Sequence, residues 1–83
     1  MVNGKDFMEN VRDMKEPTIY QIDRLNRYIA EMNKEMNKPV EKRNLNWFYA
    51  QEMAYMSVIE NMRNHQVFIP ELYLRYYKKL EAV

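Results

Sequence analysis

Few side chains in this sequence could carry catalytic chemistry. The chain has no cysteine and one histidine, His65, and its only serine and threonine are Ser57 and Thr18. A hydrolytic triad would need Ser57, His65 and a distant acid, and the residues around Ser57 lack the glycine pattern of a nucleophile elbow. We therefore expect Ser57 to permit close helix packing. We expect no catalytic residues and a protein that is not an enzyme.

Metal and nucleotide sites are equally poorly supported by the residue types present. Ligands on a helix are spaced three or four residues apart, and at those spacings from His65 the sequence offers weak ligands or none: Asn61, Met62, Phe68 and Ile69. The single glycine, Gly4, cannot build a phosphate-binding loop. We expect no cofactor and no bound metal. We expect His65 at the C-terminus of a helix, where the helix dipole favours positive charge.

Basic side chains interleaved with tyrosine form one candidate site. They occupy the second and last predicted helices: Tyr20, Arg24, Arg27, Lys34 and Lys38, then Arg75, Lys78 and Lys79. Such residues can hold a phosphate backbone and stack on a base, so one candidate function is a small DNA- or RNA-binding regulator. A net charge of +1, from 13 basic and 12 acidic residues, is low for that class. A solvated charged face with local ion pairs is the alternative interpretation.

Aromatic and methionine side chains form the favoured candidate site. The chain has seven tyrosines, three phenylalanines, one tryptophan and eight methionines, and tyrosine and methionine are frequent at protein interfaces. We expect a partner-binding surface on the last two helices, formed by Tyr49, Met53, Met56, Tyr73, Leu74 and Tyr77. The simplest occupant is a second copy in a symmetric dimer, and an unidentified protein is a further expected partner.

Helices are expected to position these residues. One glycine disfavours a strand-rich fold, and the abundant Glu, Lys, Met, Leu and Arg favour helix. Start and stop signals predict helices at 6–16, 18–38, 44–64 and 70–82. Thr18 and Gln21 have the spacing of a capping box, and Asn44 or Asn46 can cap the third helix. The predicted fold is an all-α bundle of three to four helices that self-associates.

The apolar stripes predict how these helices pack. On the first helix Phe7, Val11 and Met14 lie opposite an acidic ridge of Asp6, Glu9, Asp13 and Glu16. The second helix has a seam at Ile22, Leu25, Ile29, Met32 and Met36, and the inward side of the fourth is expected at Ile69, Leu72, Tyr73, Tyr76, Leu80 and Val83. The third helix is apolar around most of its circumference. We therefore place it at the centre, enclosed by its neighbours and by a second copy.

Length and composition bound the remaining expectations. With 83 residues the chain allows one domain, 1–83. No run of about eighteen apolar residues could cross a membrane, and the charged N-terminus lacks a signal-peptide core, so we expect a cytoplasmic protein. High Asn, Lys, Met, Tyr and Ile content is typical of AT-rich coding sequences, which favours a Gram-positive bacterium or its phage as the source. Small helical proteins of that kind are often adaptors or inhibitors, and we expect that role here.

Overall fold

Three α-helices make up most of residues 14–82, the part of the chain that the structure, a computed structural model, describes. The helices are α1 at Ile19–Met36, α2 at Leu45–Asn64 and α3 at Glu71–Glu81, with a 3₁₀ turn at Val40–Lys42. Within residues 14–82 the only β-type pairing is an isolated parallel bridge between Lys15 and Val67. The prediction of an all-α fold is confirmed.

The first predicted helix, 6–16, lies mostly outside the described residues. Its last three residues, 14–16, are described and are not helical. The Lys15 N–H donates to the Gln66 carbonyl (2.9 Å), and the Phe68 N–H donates to the Lys15 carbonyl (2.7 Å). The prediction of helix as far as Glu16 is therefore wrong. The backbone of Lys15 is bonded to another segment, and Pro17 disfavours helical geometry at Glu16.

α1 begins where the sequence predicts. The Thr18 hydroxyl accepts the Gln21 N–H (3.0 Å), and the Gln21 side-chain oxygen accepts the Thr18 N–H (2.9 Å). These two bonds complete the predicted capping box. The helix ends at Met36, two residues before the predicted boundary at 38, and Asn37 is its C-cap.

Glu35 and Arg43 fasten the connection between α1 and α2. The Glu35 carboxylate, in a residue only 4% exposed, accepts one bond from Lys38 Nζ (2.9 Å) and one from the Asn44 N–H (2.8 Å). The Arg43 guanidinium donates to the Met36 and Lys38 carbonyls (2.9 and 3.0 Å). Carbonyls at the end of a helix lack partners within it, so Arg43 satisfies groups that would otherwise need water. The connection therefore forms without glycine.

α2 ends in a turn that commonly uses glycine. His65 is the C-cap, which confirms its predicted place at a helix C-terminus, and Gln66 has a φ of 57°, in the left-handed region. The Val67 N–H donates to the Met62 carbonyl (2.8 Å), and the Gln66 N–H donates to the Arg63 carbonyl (3.1 Å). This pair of bonds defines a Schellman motif. Val67 and Met62 are both buried in the core, so the turn is anchored on its apolar side.

The core lies chiefly between α1 and α2. Five large side chains are fully buried: Leu25, Met32, Tyr55, Ile59 and Met62. α2 supplies three of them and contacts both α1 and α3, as its predicted central place requires. α1 supplies the other two from its predicted seam, whose last residue, Met36, is 50% exposed beyond the end of the core.

Tyrosine side chains connect α3 to both other helices. Tyr73 OH donates to Asn26 Oδ1 on α1 (2.7 Å), and Tyr77 OH donates to Glu60 Oε1 on α2 (3.2 Å). Tyr55 OH on α2 donates to the Tyr73 carbonyl (2.6 Å). Burial raises the pKa of Tyr55 and Tyr77, because it disfavours the charged phenolate. These hydrogen bonds fix the position of α3 against the other two helices. The rings of Tyr73 and Tyr77 add buried apolar area to the small core.

Candidate interaction surfaces

One stripe of α2 is apolar and exposed. Leu45, Tyr49 and Met53 follow one another at intervals of four residues, which places them on one side of the helix. Their exposed fractions are 53%, 53% and 69%, and Met56 lies half-buried in the same stripe. We call these four residues the α2 apolar face. It contains three of the six residues predicted to bind a partner: Tyr49, Met53 and Met56.

The different lengths of α2 and α3 explain why this face is bare. α2 has 20 residues and α3 has 11, which correspond to about 30 and 16 Å of helix. The hydrogen bonds and ring contacts from α3 to α2 involve Tyr55, Glu60 and Arg63, all in the C-terminal half of α2. The outward side of the N-terminal half of α2, with Leu45 and Tyr49, therefore has no covering helix among residues 14–82.

The α2 apolar face lies in a stretch with little charge. Between Leu45 and Ile59, Glu52 is the only charged residue, whereas α1 and α3 carry charges along their lengths. Phe48 packs edge to face against Tyr49, with ring centroids 5.9 Å apart and planes at 80°, so Tyr49 is supported in its exposed position. Depletion of charge around supported aromatic side chains is typical of the centre of a protein interface.

Trp47 has a different place from the α2 apolar face. Its indole Nε1 donates to Glu31 Oε2 on α1 (3.2 Å), and its backbone N–H donates to the Asn44 side chain that caps α2 (3.0 Å). Trp47 is 45% exposed. It therefore helps to join the two long helices at the edge of the core.

Two predicted partner-binding residues, Tyr73 and Tyr77, lie in the core instead of on the surface. They are 7% and 5% exposed, and their hydroxyls are satisfied by Asn26 and Glu60. The burial of Tyr73 agrees with its predicted place on the inward side of the last helix. The assignment of both residues to a partner-binding surface does not fit the single chain, because a tyrosine can bury its ring wherever its hydroxyl reaches a polar partner. The predicted inward side of α3 is otherwise confirmed, since most of its residues belong to the core or pack against it. Leu72, expected to face inward, is the exception and is 67% exposed.

Within the part of the chain that the structure describes, the neighbouring helices enclose α2 only in part, and its predicted enclosure by a second copy as well stays a prediction. Its buried residues lie on the sides that face α1 and α3: Gln51, Tyr55, Val58, Ile59 and Met62. Apolar surface on α2 that its neighbours leave uncovered is what led us to expect a second copy. The α2 apolar face is uncovered in the single chain.

The predicted basic site on α1 is partly assembled. The Arg24 guanidinium carbon lies 5.4 Å from the Tyr20 ring centroid and 5.7 Å from that of Tyr28. Its Nε and Nη2 both donate to Tyr28 OH (3.1 and 2.9 Å), and this bonding raises the pKa of Arg24. Tyr20 is 68% exposed, and Arg27 is exposed one turn further along. A base could stack on Tyr20 beside two positive charges.

The other predicted basic residues do not join this group. Lys38 is bonded to Glu35 at the end of α1, and Arg75 pairs with Glu71 at 2.9 Å. Lys34 is exposed on α1, and Lys78 and Lys79 are exposed on α3. The exposed pair of Arg75 and Glu71 on α3 contributes little to stability, because water screens such charges.

The side chains considered for catalysis lie apart. Ser57 and His65 are eight residues apart along and just beyond α2, a rise of about 12 Å, which is too far for the direct hydrogen bond of a triad. His65 Nδ1 is paired with the Asn61 carbonyl at 2.8 Å. In the described range, 14–82, no three His, Asp or Glu side chains are grouped as a metal site would require.

No family model, curated protein or solved structure matches this chain. Among the helices described here, none combines the length and the apolar character needed to cross a lipid bilayer.

Proposed function

We propose that this protein is a small, non-enzymatic interaction module of the cytoplasm that acts through the α2 apolar face. The observation that carries the proposal is the row of Leu45, Tyr49 and Met53, each at least half exposed, in a stretch of helix with a single charged residue. Exposed apolar patches that contain well-packed aromatic side chains are characteristic of binding surfaces. An adaptor or inhibitor of a larger protein fits this description.

A second copy of the chain is the simplest occupant. Leu45, Tyr49 and Met53 are evenly spaced about Tyr49, so an antiparallel pair of α2 helices with a two-fold axis at Tyr49 would place Leu45 of each copy opposite Met53 of the other. The three residues span about 12 Å of helix. A row of this length buries less area than a standard interface, which buries about 800 Å² per partner. We therefore expect a weak dimer that forms as concentration rises and that a tighter protein partner can displace.

Sedimentation velocity from low micromolar to millimolar concentration tests this association. The variant Met53→Lys places a charge within the proposed contact, opposite Leu45 of the other copy. Leu72→Lys is its matched control because Leu72 on α3 is 67% exposed against 69% for Met53. We expect the natural chain and Leu72→Lys to gain mass with concentration and Met53→Lys to stay monomeric. A natural chain that remains monomeric throughout, or a Met53→Lys variant that dimerises equally well, contradicts the proposed dimer.

Nucleic-acid binding is the alternative function, and the position of Arg24 between Tyr20 and Tyr28 favours it. An exposed tyrosine beside a guanidinium can stack on an unpaired base, with Arg27 near the backbone phosphate. Fluorescence anisotropy with a labelled single strand and a duplex at low salt tests this function. It predicts binding that weakens with salt and with Tyr20→Ala but not with Tyr49→Ala. Absence of binding at low salt contradicts it.

A further inference from the structure

The methionines among residues 14–82 differ widely in their exposure to water. Met32 and Met62 are fully buried, whereas Met53 is 69% exposed, the largest fraction of any methionine in this range. Met36 follows at 50%, at the end of α1 and outside the α2 apolar face. Among these residues, Met53 is therefore the one that an oxidant dissolved in water reaches most readily.

Oxidation of a methionine by hydrogen peroxide needs an accessible thioether and no catalytic group. The peroxide transfers one oxygen atom to the sulfur: its O–O bond breaks, a sulfur–oxygen bond forms, and the second oxygen leaves as water with both protons. The sulfur loses the two electrons that the peroxide gains. The product, methionine sulfoxide, is a polar side chain in place of a flexible apolar one.

A sulfoxide at Met53 would lack a hydrogen-bond donor in the contact proposed for this face. In the antiparallel pair Met53 lies opposite Leu45 of the second copy, whose side chain is hydrocarbon alone. Tyr49 carries the only side-chain donor of the α2 apolar face, one turn of helix away at the proposed two-fold axis. The remaining predicted partner-binding residue, Leu74, is half-buried on α3 and adds no donor. Burying the sulfoxide oxygen without a donor costs free energy, so the oxidised face binds a second copy less tightly.

The fold does not depend on the Met53 side chain. Met53 is neither a core residue nor one of the partly buried apolar residues that pack against the core, whereas Met56 is one of the latter. Oxidation at this position therefore changes the surface and leaves the helices in place. We propose that Met53 is a peroxide-sensitive modification site whose sulfoxide switches off association through the α2 apolar face. This inference rests on the proposed function, because it concerns the regulation of the same face.

Peptide mass mapping after mild treatment with hydrogen peroxide tests the site. At low micromolar concentration, where the weak dimer is dissociated, we expect Met53 to gain one oxygen atom at least about twofold faster than Met36. Met32 and Met62 should stay unmodified while circular dichroism shows the helices intact. A Met53 that is oxidised no faster than Met36 would overturn the assignment of the site.

Sedimentation velocity of treated and untreated protein up to millimolar concentration tests the switch. Met53→Leu keeps an apolar side chain of similar volume and cannot form the sulfoxide, and Met36→Leu is the matched control that retains Met53. We expect peroxide to weaken the association of the natural chain and of Met36→Leu at least about tenfold and to leave that of Met53→Leu unchanged. Met53→Leu retains every other methionine, so it also reports any effect of their oxidation.

The outcomes separate the switch from the proposed function. An untreated chain that associates, with an oxidised chain that associates equally well, contradicts the switch and leaves the proposed dimer standing. An untreated chain that stays monomeric contradicts the dimer and the switch together. A loss of association in treated Met53→Leu as large as in the treated natural chain would assign the effect to another methionine and overturn the proposal.

Discussion

The tyrosine hydroxyls explain where most of the aromatic residues go. From the sequence, Tyr73 and Tyr77 are assigned to a partner-binding surface, although Tyr73 is also predicted on the inward side of the last helix. In the structure their rings are buried and their hydroxyls reach Asn26 and Glu60 on neighbouring helices. Those partners lie 47 and 17 residues away in sequence. Residue type and helical spacing alone could not identify them.

Tyr73→Phe should therefore destabilise the fold without changing its helices. The variant loses the 2.7 Å bond to Asn26, and a hydrogen bond of this kind contributes about 1 kcal/mol to the free energy of unfolding. Tyr49→Phe is the matched control, because Tyr49 is 53% exposed and its hydroxyl is available to water. Urea unfolding of both variants measures the difference. Equal stability of the two would show that the Tyr73 bond contributes nothing.

Glu35 should make stability depend on pH in the acidic range. The bond from Lys38, and then the bond from the Asn44 N–H, lower the pKa of Glu35 below its ordinary value of 4.5. Because the pKa is lower in the folded chain than in the unfolded chain, the stabilisation is complete above pH 4.5 and is lost as the pH falls through the folded-state pKa. Glu35→Gln should flatten this part of the pH dependence.

Melting temperatures of the natural chain and of Glu35→Gln at neutral pH and at about pH 3 test this linkage. The natural chain should be the more stable of the two at neutral pH, and the gap should narrow in acid. Glu71→Gln is a suitable control, since the ion pair of Glu71 is exposed to water. A gap between the natural chain and Glu35→Gln that stays constant with pH would contradict the assignment.

At the scale of the helices, local signals were predictable and tertiary ones were not. The capping box at Thr18 and Gln21 and the cap at Asn44 depend on neighbouring residues, so the sequence predicts both helix starts correctly. Most of the predicted inward side of α3 belongs to the core or packs against it, and only the prediction that Leu72 faces inward is wrong. The extended backbone at Lys15 was not predicted either, because the residues whose backbones bond to it follow α2 and are distant in the sequence.

The turn after α2 offers a test of helix termination. Gln66 has a positive φ of 57°, which costs a residue with a β-carbon about 1–2 kcal/mol. Gln66→Gly should raise the free energy of unfolding by about 0.5–1 kcal/mol, after the greater flexibility of unfolded glycine is subtracted. Gln66→Val should lower it, since branching at the β-carbon makes this conformation worse. Urea unfolding that ranks valine above glycine would contradict the Schellman turn.

At the scale of the molecule, the short α3 determines which surface stays bare. Its 11 residues reach the C-terminal half of α2 and fasten there through Tyr73 and Tyr77. The sequence predicts that α2 has more apolar surface than ordinary helix packing uses, and Tyr49 and Met53 are exposed as expected. The sequence does not reveal that the rings of both Tyr73 and Tyr77 are buried in the core. The candidate surface is therefore smaller than predicted and is confined to α2.

Methionine methyl NMR of the natural chain at increasing concentration tests the central claim most directly, because one chain carries its own controls. Met53 is 69% exposed on the α2 apolar face, Met36 is 50% exposed at the end of α1, and Met32 is fully buried. We predict that at millimolar concentration the Met53 methyl signal shifts and becomes protected from a soluble paramagnetic agent, while the Met36 signal stays accessible. A Met53 methyl that remains as accessible as that of Met36 at every concentration would contradict the proposal that this face binds a second copy.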